Sequence, residues 1–362
     1  MATAAAGRGR VYLDYNATTP LRLEAREAMI AAMDVLGNPS SVHTEGRAAK
    51  AIIERSRVQL AALVGCDPQD IVWTSGATEA ANVWFRGKSS ETGAEIEHDA
   101  VWSHIEAGDA SAVPVDGQGQ VQRDGGVRMG ALQLANSETG VLQSDFGKRP
   151  VGLGDVTQAL GKQPVNFATS WCDAVMCSAH KLGGPKGSGA LILNKGIELT
   201  PAPSGGGQEM GRRAGTENVI GIAGFGAAAE AAKRDLDAGL WDGVKKLRKI
   251  LENAIEQMAD GIIWVGKETE RLPNTTCFAA PGWKGETQVM AMDLAGFAVS
   301  AGSACSSGKV RESRVLRAIG YDASVAQSAI RVSLGLDTTE EDVLRFAEAW
   351  AAKWKKHQAR AA

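Results

Sequence analysis

From residue 21 to about residue 200, helix-period segments alternate with short apolar runs, and a layered α/β arrangement is the one that buries both. Residues 21–33 and 46–63 carry helical periodicity. The run IVWT at 71–74 reads as a buried strand that passes through Ser75-Gly76-Ala77-Thr78 and opens a helix at Glu79. Residues 131–134, 151–155 and 189–193 read as further buried strands. Strands this apolar belong in a mostly parallel central sheet covered on both faces. Past residue 200 the pattern changes. Long helices over 218–258 precede strands within 261–299 and 326–334 and helices at 310–319 and 339–357. That order predicts a smaller α+β domain beside the first.

Bulk properties exclude several classes. A chain of 362 residues with 44% hydrophobic and 22% charged residues can bury a large core. Its net charge of −3 gives no electrostatic footprint for nucleic acid or an anionic membrane. The clusters Lys245/Lys246/Arg248/Lys249 and Lys353/Lys355/Lys356 fall on predicted helices and read as solvated faces. The five cysteines (Cys66, Cys172, Cys177, Cys277, Cys305) form no CxxC pair and no metal spacing. An odd count argues for a reducing compartment. The segment MATAAAGRGR lacks the apolar core of a secretory signal, and no apolar run approaches a membrane span. A cytoplasmic protein is expected. The glycine clusters near Gly87, Gly152 and Gly205 all miss the spacing of a P-loop or a dinucleotide fingerprint, and there is no HExxH.

The stretch SAHKLGGPKG, 178–187, carries the strongest chemical signal. It sets Lys181 between a Ser/His pair and a glycine-rich loop, behind the apolar run Ala174-Val175-Met176. A lysine leaving a buried strand is a natural Schiff-base donor to a carbonyl compound such as pyridoxal phosphate; a surface lysine in a Gly/Pro turn is the plain alternative. Ser75-Gly76-Ala77-Thr78-Glu79 joins strand to helix with small residues, as a phosphate cradle requires, although a simple helix cap has the same composition. Asp155 and Gln158 stand three apart at the end of a predicted strand, where an acid could hold a pyridine nitrogen protonated or merely cap a helix. His98, in Glu97-His98-Asp99, is placed after a predicted strand. Cys305 lies in a stretch of small residues, 300–308, which reads as an exposed, mobile loop, whereas the other four cysteines have more apolar surroundings. Arg331, mid-strand in IRVS, suits a carboxylate clamp or an internal ion pair.

Together these residues resemble a cysteine desulfurase, in the class V branch of the fold-type-I PLP-dependent transferases. The likeness runs from Tyr12 to about Thr339 through YLDYNATTP (12–20), GNPSSVHTEGRAA (37–49), TSGATEA (74–80), EHDAV (97–101), NSETGVLQ (136–143), DVTQALGK (155–162), SAHKLGGPKG (178–187), GGGQEMGRRAGTEN (205–218), GSACSSG (302–308) and IRVSLG (330–335). Ten stretches in the family's order leave chance no role. The resemblance implies a large PLP-binding domain over 16–245 and a small domain built from 1–15 and 246–362. It implies that Lys181 carries the cofactor as a Schiff base and that Thr78, Ser178 and His180 hold the phosphate with the amide of Ala77. Asp155 would pair with the pyridine nitrogen, Gln158 with the phenolic oxygen, and His98 would stack on the ring and shuttle protons. Thr216 would reach the phosphate of the other subunit of a homodimer. Arg331 would bind the carboxylate of L-cysteine, and Cys305 would take its sulfur as a persulfide for an acceptor or an iron–sulfur scaffold protein, with tRNA thiolation a second destination. No metal is implied.

The chain departs from the family in two ways. The connections at roughly 87–95, 116–129 and 144–151 are short where the family carries helix. They predict loops or stunted helices over part of the sheet, with apolar surface left exposed or covered by a partner. Ser137 replaces the asparagine that usually precedes the glutamate matching Glu138. Two other readings share these motifs: a selenocysteine lyase or other class V PLP enzyme, and a degenerate scaffold in a sulfur-transfer complex. The retained Lys181, His98, Asp155, Cys305 and Arg331 favour catalysis.

Overall fold

The computed structural model describes residues 9–123, 125, 128–200, 205–302 and 312–361. In chain order it opens with β1 (Val11–Tyr12), α1 (Leu23–Met33), α2 (Thr44–Val64), β2 (Ile71–Thr74), α3 (Ala77–Phe85) and α4 (Asp99–Glu106). Then come β3 (Met129–Gln133), β4 (Val151–Asp155), β5 (Cys172–Ser178) and β6 (Gly189–Leu193), followed by α5 (Val219–Asp237) and α6 (Leu240–Met258). The remainder is β7 (Ile263–Val265), β8 (Thr275–Ala279), α7 (Gly285–Leu294), β9 (Phe297–Ala298), β10 (Ser300–Ala301), α8 (Arg314–Ile319), α9 (Ala323–Ser328), β11 (Ala329–Ser333) and α10 (Glu340–Ala361).

The central sheet has the order β2-β6-β5-β4-β3. β3, β4 and β5 pair in parallel, and β6 runs antiparallel to both of its neighbours. Four strands therefore share one direction and β6 is reversed, so the sheet is mixed with a parallel majority. Side chains alternate across it as strand geometry requires. Ile71 and Trp73 of β2 join a layer with Leu60 and Val64 of α2 and Phe225 and Ala228 of α5. Val72, between them, joins Trp84 of α3 and Ile105 of α4 on the other side. A second sheet, β10-β11-β8-β7, packs with α6 and α10 around Phe278, Phe346 and Trp350. β1 pairs in parallel with β9, and Asp14 bridges to Ser333, so the chain's beginning runs along the later sheet before it reaches the first.

Three expectations need amendment. Residues 261–299 are not all strand and loop: α7 lies within them, burying Gly285, Gln288 and Met292 at helical spacing. Its apolar contrast is low because one of those three is polar and one is glycine. No strand precedes His98; residues 91–94 are irregular and make one ladder-like bond to β3, from Ala131 N–H to the Thr92 carbonyl at 2.9 Å. The three short connections carry no helix among the described residues, as expected. The apolar surface they were expected to uncover is not on these strands, however: every residue of β3 and β4 is buried, and Trp171, beside the third connection, is a large apolar side chain left exposed there. Among the described residues, no helix is long and apolar enough to cross a membrane.

Candidate active site

The site forms where three strand ends meet the segment after β1. β5 delivers Ser178 at its last residue, and a single tight turn follows with Ala179, His180 and Lys181. The turn closes against β6 through the Ala179 N–H to Ser188 carbonyl bond at 3.0 Å. β4 ends at Asp155, whose Oδ1 accepts the Thr157 N–H at 2.8 Å, a local turn that aims Gln158 back over the strand end. β2 ends one step before Ser75-Gly76, and α3 starts there with no side-chain cap at Gly76. A cavity of about 760 Å³ opens between these ends.

Nine of the residues singled out from the sequence line it: Ala77, Thr78, His98, Asp155, Gln158, Ser178, His180, Lys181 and Arg331. Thr216 is not among them; it is exposed on the segment after residues 208–211. Cys305 falls outside the described residues. The four described cysteines are free. Burial pushes the Cys66 thiol up to about 12 and that of Cys172 to about 11, and drives those of Cys177 and Cys277 higher still. Thiols so reluctant to ionise are poor nucleophiles. Cys66 is only half-buried, more exposed than its apolar neighbours suggest.

Asn16 organises the interior of the site, and sequence reasoning passed over it although it lies within YLDYNATTP. It is fully buried. Its carbonyl accepts Lys181 Nζ at 2.6 Å and Gln158 Nε2 at 2.9 Å. Its side-chain amide donates to Thr275 Oγ1 at 2.8 Å and accepts from Asn274 Nδ2 at 3.1 Å. Lys181 also donates to the Ala17 carbonyl at 2.9 Å. Asp14 was passed over as well. It accepts Arg331 Nη2 at 2.8 Å and Ser300 Oγ at 2.8 Å. Arg331 is thus buried and ion-paired, the second of the two readings considered for it, and it also lines the cavity. Its Nη1 donates to the Ser137 carbonyl at 2.9 Å, so each Nη keeps one hydrogen beyond these two bonds, while Nε is buried without a partner among the described residues.

The charge states follow from burial. His180 is held down to about 4, first by burial and then by Lys181, Lys186 and Lys162, so its imidazole is neutral at pH 7. Its Nδ1 lies 3.2 Å from Thr18 Oγ1. His98 caps α4, its Nδ1 accepting the Ala100 N–H at 3.1 Å, which places the ring proton on Nε2. Lys162, fully buried beneath the site, donates to the Gln158 carbonyl at 2.8 Å. Burial, then Lys181 and Arg331, bring it down to about 7.

A phosphorylated pyridine aldehyde suits this donor set. At the cradle, a Cβ on Gly189 would lie 2.5 Å from the Gly76 Cα, so the β6 start and the α3 N-terminus close up only because residue 189 is glycine; a Cβ on Gly76 would meet just Ser178 Oγ, at 3.9 Å. The uncapped first turn of α3, with the Thr78 and Ser178 hydroxyls and the neutral His180, offers donors to an anion. Gln158 reaches the cavity with an amide only partly committed to the protein: Nε2 donates to the Asn16 carbonyl and keeps a second hydrogen, and Oε1 has no hydrogen-bond partner among the described residues. Among the described residues, no cluster of three or more His, Cys, Asp or Glu side chains is arranged to hold a metal ion.

Comparison with known proteins agrees with this geometry. The family model for class V aminotransferases matches residues 11–115 and 131–346, and the unmatched interval covers the second short connection. A cysteine desulfurase of Frankia sp. (strain EuIK1) is 39% identical over 93% of this chain and 90% of its own. The cysteine desulfurase IscS of Dictyoglomus turgidum is 36% identical over 92% of this chain and 91% of its own. The crystal structure of a NifS-like protein from Rickettsia africae superposes with a TM-score of 0.86 at 32% identity, covering 96% of this chain and 99% of that one.

Proposed function

Because the chain belongs to the class V aminotransferases, among its cysteine desulfurases, we propose that it converts L-cysteine to L-alanine and takes up the sulfur on Cys305. The observation that carries this reading is the convergence of nine motif residues on one cavity around Lys181. Pyridoxal 5′-phosphate, the cofactor of the family, supplies an electron sink for the charge left at the substrate Cα.

This chain's own residues do the rest. Lys181 is the attachment point of the cofactor aldehyde, with Ala77 N–H, Thr78, Ser178 and His180 around its phosphate. Asp155 would pair with the ring nitrogen and favour its protonated form, and Gln158 would meet the phenolic oxygen. The –NH₂ of Gln158 that donates to the Asn16 carbonyl has a second hydrogen for that contact. Arg331 receives the substrate carboxylate. Its pairing with Asp14 and the Ser137 carbonyl fixes the guanidinium plane before substrate arrives, which lowers the ordering cost of binding. Lys181 Nζ, its position fixed by the Asn16 and Ala17 carbonyls, would accept the Cα proton. The Cys305 thiolate then attacks the substrate Sγ. A sulfur–sulfur bond forms, the Cβ–S bond breaks with its electron pair left on carbon, that carbon takes up a proton, and return of the proton held on Lys181 to Cα completes alanine. His98, at the cavity edge with its proton on Nε2, is placed to give Cβ its proton.

Several finer points belong to the same proposal. Thr216, exposed and away from its own cavity, serves the phosphate of a second copy, so the working unit is a homodimer. Residues 16–245 form the cofactor domain, and 1–15 with 246–362 the domain bearing Arg331 and Cys305. The persulfide serves iron–sulfur cluster assembly through an acceptor protein in the cytoplasm; the names IscS and NifS-like among the relatives support this destination.

The test is release of alanine and sulfide from L-cysteine under reducing conditions, by PLP-loaded wild type beside Cys305→Ala. Equimolar products from wild type, lost in the variant, are expected. No release by wild type with bound cofactor refutes the reading. Turnover of L-selenocysteine that persists in Cys305→Ala would instead identify a selenocysteine lyase.

A further inference from the structure

Glu138 is the one acidic side chain inside the NSETG turn, and the reading above gives it no role. It is 5% exposed. The turn holding it is closed on itself: Asn136 Oδ1 accepts the Glu138 N–H at 3.0 Å, the Thr139 N–H at 2.8 Å and Thr139 Oγ1 at 3.1 Å. The side chain is therefore aimed by a turn with little freedom. Its Oε2 accepts the Ser313 hydroxyl at 2.8 Å. Its Oε1 has no hydrogen-bond partner among the described residues and rests against Gly302, where a Cβ would collide with it.

Those two contacts are far apart in sequence and share one purpose. Gly302 and Ser313 flank the stretch that carries Cys305, ten residues long between them. Beyond the stretch the flanks are well tied, Arg314 to the Glu97 carbonyl and Asp99, and Ala301 in the β10–β11 pair, but the two end residues themselves have slighter backbone bonds. Gly302 N–H reaches the Ala329 carbonyl at 3.3 Å and Ser313 N–H the Ala326 carbonyl at 3.3 Å, both long for such bonds. The neighbouring Ser137 carbonyl takes Arg331 Nη1 at 2.9 Å, so the same turn touches the carboxylate clamp. Burying a carboxyl is costly without full pairing. Here burial pushes Glu138 up to about 7, against the pull of Ser313, Arg331 and Arg314. A methionine would fill the space at lower cost were filling the only task.

We propose that Glu138 is a positioning residue for the nucleophile: one carboxyl fixes Gly302 and Ser313, the two ends of the Cys305 stretch, at a set separation and in register with Arg331. The proposal rests on Cys305 being the sulfur carrier, but its geometry can be read without turnover. Lys309 and Arg311 lie inside the stretch and are sites for trypsin.

The experiment compares holoenzyme of wild type, Glu138→Ala and Glu138→Gln by tryptic cleavage after Lys309 and Arg311 and by steady-state alanine release. In Glu138→Ala, cleavage at those bonds is expected to speed at least tenfold. Its kcat should fall at least tenfold while KM for L-cysteine and the spectral change on adding it stay at wild-type values. Glu138→Gln, which still accepts from Ser313 and fills the same volume, should restore both readouts to within about threefold. Glu138→Ala with wild-type cleavage and wild-type kcat overturns the proposal, as does a Gln variant no better than Ala. A wild type that makes no alanine while the cleavage contrast stands leaves the positioning role intact and refutes the desulfurase reading instead. Should Glu138→Ala fail to fold, Gly302→Ala probes the same contact from the other side. Its loss of kcat must be partly recovered by adding Glu138→Asp, which withdraws the carboxyl by one methylene; no recovery overturns the proposal.

Discussion

Glu97 precedes His98 and should make the stability of this protein fall with rising pH. Its carboxyl is 1% exposed, Oε1 accepts the Gln133 N–H at 3.1 Å, and Oε2 has no hydrogen-bond partner among the described residues. Burial, with the negative charge of Asp155 behind it, raises its pKa from 4.5 to about 8. The folded protein therefore holds a proton on Glu97 across a range where the unfolded chain has lost it. That contribution to stability is complete below the unfolded value and is lost as pH rises through about 8. Each pH unit in that window costs about 1.4 kcal/mol, so a change of roughly 3–5 kcal/mol is the full effect. Glu97→Gln keeps an acceptor for Gln133 and cannot ionise. Urea unfolding of both proteins at pH 5, 7 and 9 isolates the term, because Glu138, Lys162 and His180 titrate in both and cancel in the difference. Whatever the offset at pH 5, the variant should gain about 3 kcal/mol or more on wild type by pH 9. Parallel stability profiles would refute the reasoning and show that Glu97 is ionised in the fold.

Three further perturbations have expected outcomes. Arg331→Lys keeps the charge and loses the planar fork; one charge-assisted bond of about 1.5–3 kcal/mol predicts a rise in KM for L-cysteine of roughly 10–100-fold with a smaller change in kcat, read by steady-state kinetics. Asn16→Ala removes buried bonds to Thr275 and Asn274 and releases the carbonyl that holds Lys181 and Gln158. Unfolding should become easier by about 2–4 kcal/mol and kcat should fall at least tenfold; wild-type values in both would remove Asn16 from the account. Glu209 accepts both Arg57 Nη2 at 2.8 Å and the Trp73 N–H at 3.0 Å, all buried, and its backbone is left-handed at φ 49°. Glu209→Gln leaves buried Arg57 with only the half-exposed Glu54 carboxylate, 3.4 Å from its Nε, as an ion partner, and should cost up to about 3–5 kcal/mol in denaturant unfolding.

What the sequence disclosed about this site was decided by reach along the chain. Lys181, His180 and Ser178 come from one turn after one strand, so a ten-residue stretch displayed them together. Asp155 and Gln158 are likewise local. Asn16 was invisible as a hub because its partners, Lys181, Gln158, Thr275 and Asn274, come from three distant parts of the chain. Asp14 was missed for the same reason: an aspartate after a short apolar pair has no signature until Arg331 arrives beside it. Helix α7 escaped because its buried stripe is glycine, glutamine and methionine, a face that tertiary hydrogen bonds satisfy. The strand placed before His98 failed locally: Gly93 packs beneath Ile105, and residues 91–94 make a single ladder-like bond to β3.

The short connections raise the question of what covers the sheet where helices are lacking, and glycines on β3 and β4 answer it. A Cβ on Gly130 would lie 2.6 Å from the Thr92 backbone nitrogen. One on Gly152 would lie 2.5 Å from the Gly130 carbonyl and 2.5 Å from Arg128 Nη2, and one on Gly154 would lie 2.8 Å from Phe146. The loops thus lie directly on bare strand backbone, in place of the thicker helix-on-side-chain layer, which is why every β3 and β4 residue is buried although no helix replaces the missing crossovers. A test follows from the opposing magnitudes. Glycine to alanine in a strand or helix should stabilise by about 0.5–1 kcal/mol through chain entropy. At Gly130 and Gly152 the new methyl meets backbone that cannot swing aside, and overpacking costs about 1–3 kcal/mol. The net sign is therefore destabilising at both. Gly243 is the control: it is exposed in α6 with nothing within 4 Å of its added Cβ, so Gly243→Ala should stabilise. Unfolding midpoints in urea that moved the same way for all three variants would show that the loops yield, and that glycine is not what lets them lie against the sheet.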